Sequence, residues 1–295
     1  MGRLPTPMFQ ASVNVRGSHT RHSPRERPIS ATMGLSRPTC ARPCSTNRPA
    51  ARRGSSVAVA DMWDISSPAM PPKSTPRQLA FRRRLTRWFR REGRDLPWRR
   101  TRDPYHVLVS EIMLQQTQVA RVTDFYARFL ARFPTLEELA LAEQHEVHTL
   151  WQGLGYYRRA TNLHRLAQVV VTEHAGRLPS EPARLLALPG VGRYTAGAVA
   201  TFAFERATPA VDTNVGRVIR RAFHPRAAGA RGEKRIWATA QVLQPRAGLP
   251  AWTFNQAIME LGALVCTARV ARCEVCPVRS ACATGVRRGG SPQRR

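Results

Sequence analysis

The sequence predicts an all-α fold, on three observations. From Pro76 onward, apolar residues recur at helical spacing over stretch after stretch. Start and stop signals punctuate those stretches: Thr135 stands three residues before Glu138, and Gly176 closes a periodic run. Alternating, strand-like text is nearly absent. About ten helices are expected after residue 75.

Taken in order, residues 1–75 are expected to be a disordered tail. They hold ten of the 23 prolines, many Ser and Arg, and no sustained hydrophobic period. "SHTRHSPRERPIS" cannot bury enough apolar surface to offset its ordering entropy. Cys40 and Cys44 read as incidental there. An Arg-rich, acid-poor tail fits an organellar transit peptide, and equally an extension ahead of a start at Met62 or Met70.

"PRQLAFRRRLTRWFRREG" then places Leu79, Leu85, Trp88 and Phe89 near one face of an arginine-rich helix. "PYHVLVSEIMLQQTQVARV" reads as one helix with an apolar heart. "PTLEELALAE" and "RRATNLHRLAQVVVTEHAG" are helices by cap and period, and "TAGAVATFAF", "TNVGRVIRRAF", "EKRIWATAQVL" and "AWTFNQAIMELGALVC" continue the pattern.

Charge narrows the function. Lys plus Arg number 47 against 19 Asp plus Glu, a net of +28, and the excess is not confined to the tail. A chain this basic is expected to meet a polyanion, nucleic acid above all; the plainer reading is a solvated surface from an Arg-rich proteome. No apolar run reaches the length of a membrane span, and no membrane partner is expected. With no secretory h-region, a reducing, cytoplasmic setting is the expectation. There, four cysteines within 17 residues, Cys266, Cys273, Cys276 and Cys282, point to metal rather than disulfides. Their C-x6-C-x2-C-x5-C spacing alone suggests zinc.

Three motifs carry chemistry. In "LPGVGRYTAGAVA" (Leu188 to Ala200), Gly190 and Gly192 flank Val191 ahead of a small-residue helix. That is the pattern of a helix-hairpin-helix, whose backbone N–H groups grip phosphates without reading sequence; it also fits an ordinary turn. In "VDTNVGRV", Asp212 sits at a helix start, where it can be a simple N-cap or a carboxylate facing a cationic transition state. In "HVLVSEIMLQQTQ", Glu111 lies among apolar residues. Burial would raise its pKa and make it a general acid. Gln115 and Gln118, at i+4 and i+7, equally permit a polar face. Two carboxylates and a DNA-gripping hairpin suit cleavage of a glycosidic bond: one acid on the leaving group, one charge beside an oxocarbenium-like centre. A base in a duplex must first be flipped out. Tyr156, Tyr157, Gln115 and Gln116 could fill the gap, or the tyrosines could pack between helices.

Together, "LPWR" (Leu96 to Arg99), "SEIMLQQTQV", "WQGLGYYRRA", "LPGVGRYTAGAVA", "VDTNVGRV", "FNQAIMELGALVC" and the cysteine loop resemble the helix-hairpin-helix DNA glycosylases, most closely the MutY-type adenine DNA glycosylases. The match runs from about Pro76 to Cys282 in the family's order. "MLQQTQV" and "GLGYY" separate the adenine enzymes from their endonuclease III relatives.

The resemblance implies two helical domains flanking a DNA-binding cleft. One is a six-helix barrel with the hairpin, residues 95–205; the other, an iron–sulfur domain, combines residues 76–94 and 206–285, ahead of a basic tail, 286–295. It implies that Cys266, Cys273, Cys276 and Cys282 hold a [4Fe–4S] cluster, with Arg269, Arg272 and Arg279 suited to phosphate. Glu111 would protonate adenine at N7, Asp212 would stabilise the sugar cation, and Asn214 and Tyr194 would complete the catalytic pocket. Trp98, Arg99 and Gln256 would surround the flipped base. Gln116 and Tyr156 would wedge into the duplex beside Gln115 and Thr117, while Gly190 and Gly192 contact its backbone. The implied activity is hydrolysis of adenine from A:G or A:8-oxoguanine mispairs in double-stranded DNA, by a cytoplasmic, nucleoid-associated monomer.

Two departures bear on specificity. Thr213 stands where adenine glycosylases usually have Gly, as in endonuclease III relatives. The sequence ends at Arg295, 13 residues after Cys282, without the C-terminal domain that reads 8-oxoguanine in similar enzymes. Lysine use argues separately: the chain has only Lys73 and Lys234, and Tyr194 stands where endonuclease III relatives place their lysine. A Schiff-base lyase needs an amine, so a monofunctional enzyme is expected. The competing readings are a mismatch thymine or endonuclease III-type glycosylase, and a non-catalytic DNA-binding protein.

Overall fold

The computed structural model describes residues 74–289. The expected tail, with Cys40, Cys44 and Lys73, and the last six residues lie outside them. Among the described residues there are twelve α-helices, two short 3-10 turns and a single isolated bridge, Cys266–Ala271. The all-α class therefore holds, with somewhat more helices than expected. No helix among the described residues is long and apolar enough to cross a membrane.

Helix α1 (Pro76–Glu92) starts on a capping box that the sequence reading passed over: Thr75 accepts from the Gln78 backbone and the Gln78 side chain accepts from Thr75 N–H. It buries Phe81, Leu85 and Phe89, so Phe81 belongs on the apolar face assigned to Leu79 and Trp88, which are only half-buried. A 3-10 turn over Pro97–Arg99 leads to α2 (Pro104–Leu114), capped by Asp103.

Here the structure corrects the sequence reading. "PYHVLVSEIMLQQTQVARV" is two helices, α2 and α3 (Val119–Arg132). Gln116 takes a left-handed φ of 56°, and Thr117 N–H turns back to Leu114 O at 3.3 Å. Next come α4 (Leu136–Leu141), α5 (Gln144–Trp151) and α6 (Arg158–Glu173). Thr135 caps α4 through Glu138 N–H, and Gly176, at φ 72°, closes α6 by donating to Val170 O at 3.0 Å. Helices α7 (Pro182–Leu186) and α8 (Arg193–Phe202) flank the Gly190–Gly192 turn. Then follow α9 (Thr213–Phe223), α10 (Gly229–Leu243), α11 (Leu249–Leu264) and α12 (Ala283–Gly289).

Two buried clusters result. One gathers side chains from Leu96 to Ala210, with α2 running through it. The other joins Phe81, Leu85 and Phe89 of α1 to α9, α10, α11 and the segment around Val278–Cys282. Helix α11 serves both, since Trp252 and Met259 pack against each cluster. The seam also carries charge. Glu260 of α11 is 1 % exposed and accepts from Arg94 at 2.8 and 2.9 Å and from Arg99 at 2.8 Å. A carboxylate so deep is tolerated because both oxygens meet guanidinium N–H groups.

Candidate active site and cysteine pocket

Glu111 is on the last turns of α2 and is 4 % exposed, which settles the open question of its face in favour of burial. The i+4 argument for a polar face fails because α2 ends at Leu114; Gln115 and Gln118 no longer share its helix. Tyr194, in the first turn of α8, donates its hydroxyl to Glu111 Oε2 at 2.7 Å. Burial pushes the Glu111 carboxyl up to about 7; the Tyr194 hydrogen bond opposes that, the charge of Asp212 adds to it, and Arg99 opposes it. Burial and the same two carboxylates push the Tyr194 hydroxyl well up. Residues from two helices and the cap of a third, spread over about 100 positions of chain, thus act on one another.

Asp212 is the N-cap of α9: its Oδ1 accepts Val215 N–H at 2.7 Å. The cap reading is therefore right, and it leaves Oδ2, which accepts from Asn214 Nδ2 at 2.8 Å. Cap and reactive carboxylate are compatible roles, since the cap bond fixes the orientation of the second oxygen. Asn214 is held in turn by Arg217, which donates to Asn214 Oδ1 at 2.7 Å, to Gly262 O at 2.8 Å and to Cys266 O at 2.8 Å. Gly262 is required for this approach: a Cβ there would lie 2.8 Å from Asn214 Cβ.

Trp98 is buried in the first cluster, edge-on to Tyr126. Arg99 donates to Gln256 Oε1 at 2.8 Å and stacks over Phe89. Arg99 and Gln256 thus meet each other near Glu111, whereas Trp98 serves the core beside them. Gln115 donates to Thr195 Oγ1 at 3.3 Å. Gln116 and Tyr156 are exposed and both left-handed, at φ 56° and 52°. Such backbone costs roughly 1–3 kcal/mol per residue. With Gln115, Tyr157, Arg158, Arg159 and Asn162 they line one open pocket. Gly190, at φ 74°, makes the hairpin turn; a Cβ there would strike Asn162. Gly192 is exposed and caps α8 with ordinary φ.

Sequence reasoning missed Arg159, Arg217 and Glu260. A lone acid inside the apolar "FNQAIMELGALV" carried the same signal that singled out Glu111; the two arginines looked like ordinary polar-face residues.

All four clustered cysteines are unpaired and line one largely apolar cavity with Phe81, Val218 and Leu261. Arg221 donates to Cys266 Sγ at 3.3 Å, and Gly285 N–H donates to Cys282 Sγ at 3.4 Å. Donors aimed at sulfur suit thiolates. No three His, Cys, Asp or Glu side chains among the described residues converge as a single ion would require. Four thiols lining one cavity form a donor set whose chemistry suits a thiolate-bound metal or an iron–sulfur group. Arg269, Arg272 and Arg279 are exposed on the loop between the cysteines.

Comparison with known proteins agrees with this arrangement. Residues 109–241 match the HhH-GPD superfamily of base excision DNA repair proteins. The chain is 48 % identical over 217 residues to the adenine DNA glycosylase of Rattus norvegicus, covering 69 % of this chain and 41 % of that one. It is 45 % identical over 210 residues to that of Mycobacterium tuberculosis, covering 70 % and 68 %. It spans well under half the length of the mammalian relatives. Among solved structures, a thermostable thymine-DNA glycosylase superposes with a TM-score of 0.65 at 32 % identity, covering 72 % of this chain and 97 % of that one. The chain belongs to the HhH-GPD superfamily of base excision DNA repair proteins and, within it, to the adenine DNA glycosylase family.

Proposed function

We propose that this chain is a monofunctional DNA glycosylase that hydrolyses the N-glycosidic bond of adenine mispaired with guanine or 8-oxoguanine. The observation that carries the proposal is the mutual influence of Glu111, Tyr194 and Asp212: a buried acid with its pKa near neutrality beside an oriented carboxylate.

Each residue then has a chemical task. Glu111, which keeps a substantial protonated fraction up to about pH 7, gives its proton to N7 of the extruded adenine. The bond from C1′ to N9 breaks, and the electron pair leaves with the base. Asp212 Oδ2 would face the positive charge that develops on the sugar, and water adds to C1′, its surplus proton returning to the Glu111 carboxylate. Asn214 and Arg217 hold Asp212 in that orientation. Tyr194 keeps the Glu111 carboxyl directed. No amine is available among them, and Lys234 is exposed on α10; the product is an intact strand with an abasic site.

Cys266, Cys273, Cys276 and Cys282 would hold a [4Fe–4S] cluster, zinc being the alternative. The group supplies a rigid support for the arginine-bearing loop that docks double-stranded DNA. Visible absorption of the purified protein distinguishes the brown cluster from colourless zinc.

Thr213 and the likeness to a thymine-DNA glycosylase favour one rival, excision of mispaired thymine. Base release from duplexes carrying A opposite G, C, T and 8-oxoguanine, and T opposite G, decides between them. Free adenine from the G and 8-oxoguanine pairs is expected; release of thymine alone would overturn the assignment. Borohydride trapping on an abasic duplex is expected to yield little covalent complex, and efficient trapping would remove the monofunctional reading.

A further inference from the structure

Arg159, the second residue of α6, is 9 % exposed. Among the described residues no carboxylate pairs with it. A buried cation normally needs a counter-charge, so its partners define its purpose. On one side, Nη1 donates to the carbonyls of Ile112 at 3.0 Å, Met113 at 2.8 Å and Gln115 at 2.5 Å, and Nη2 donates to Thr117 Oγ1 at 3.1 Å. On the other side, Nη2 donates to Leu154 O at 3.4 Å and Gly155 O at 3.0 Å. Arg159 Cζ lies 5.3 Å from the Tyr156 ring centroid.

The first set includes the free carbonyls at the end of the helix that carries Glu111, where a cation also complements the helix dipole. Beyond each set the chain makes a left-handed turn on a residue other than glycine, Gln116 after the first and Tyr156 after the second. Such turns persist only where their surroundings over-determine them. One rigid fork of donors spans both loops. Both turn residues are exposed and line the same pocket.

We propose that Arg159 is a positioning residue: it locks the Gln115–Thr117 and Gly155–Tyr156 loops into one preset wedge that separates bases in the duplex, and it anchors the end of the Glu111 helix to that wedge. The inference rests on the glycosylase reading for its substrate, but its readout does not need catalysis.

The test uses the full-length protein and a duplex with 2-aminopurine beside the target adenine opposite 8-oxoguanine. Loss of stacking brightens the probe. Wild type and Glu111→Gln are expected to brighten it equally. Arg159→Met is expected to bind the duplex with near-normal affinity yet lose most of the brightening, and Arg159→Lys, which keeps charge without the fork, to keep part of it. Adenine release by Arg159→Met should fall about 100-fold. If Arg159→Met does not melt cooperatively, Arg159→Lys decides. Full brightening by both variants would overturn the proposal, as would equal loss in Glu111→Gln. A wild type that brightens the probe but releases no adenine would sink the glycosylase reading and leave the wedge standing.

Discussion

Two glutamates are buried almost equally deep in this protein, Glu111 at 4 % exposure and Glu260 at 1 %, yet one is pushed above the ordinary carboxylate range and the other below it. Burial pushes both upward. At Glu111 the Tyr194 hydroxyl and the charge of Arg99 oppose it while a second carboxylate reinforces it, and the pKa reaches about 7. At Glu260 hydrogen bonds from Arg94 and Arg99 overcome it, and the pKa falls to about 2. Burial alone therefore does not make an acid reactive. The partners decide: paired with arginines, a buried glutamate becomes part of the seam between two cores; facing a tyrosine and an aspartate, it keeps its proton to near neutrality.

The largest expected effect separates the two by activity. Glu111→Gln should slow adenine release by about 10²–10⁴-fold, the usual range for losing a general acid, with little loss of stability because no buried charge is stranded. Asp212→Asn should be at least as slow in the same single-turnover assay, because its amide can still cap α9 but carries no charge.

Glu260→Ala should do the reverse in kind. It strands Arg94 and Arg99, and removing one partner of a buried pair costs about 3–5 kcal/mol. Urea unfolding measures this, and a change under about 1 kcal/mol would show that the arginines find water instead.

This contrast also marks what the sequence could and could not disclose. The helical class, the cysteine pocket and the pairing of Glu111 with Asp212 were legible, because periodicity, spacing and family motifs are local or ordered along the chain. The break between α2 and α3 was not: the chain turns at a left-handed Gln116, and the donor that meets the Gln115 carbonyl, Arg159, lies 44 positions later. Glu260 was overlooked although it sits in an apolar stretch, because its partners lie 161 and 166 residues away. Trp98 stood in a site motif yet packs in the core, since a motif fixes neighbourhood and not direction.

A smaller effect appears in stability against pH. With its pKa near 7, Glu111 holds its proton in the folded protein after the unfolded chain has released it. Stability should therefore decline from the ordinary carboxylate range up to about pH 7, and Glu111→Gln should flatten that decline. Glu260 works in the other direction: its contribution is complete above the ordinary carboxylate range and is lost as pH falls toward 2. Denaturant midpoints across pH in wild type and Glu111→Gln separate the two windows.

The smallest effect concerns Tyr194. Its hydrogen bond holds the Glu111 pKa down, so Tyr194→Phe should move the alkaline fall in excision rate to higher pH while retaining measurable turnover. A shift to lower pH would mean that the hydroxyl does not meet the ionised carboxylate.

The most direct measurement is the pH profile of single-turnover adenine release from an A:8-oxoguanine duplex, for wild type and Glu111→Gln. Wild type should be fast at acidic to neutral pH and fall as pH rises through about 7; the variant should be slow throughout, with that limb gone. A variant that keeps both the rate and the limb would show that the proton reaches adenine from somewhere other than Glu111.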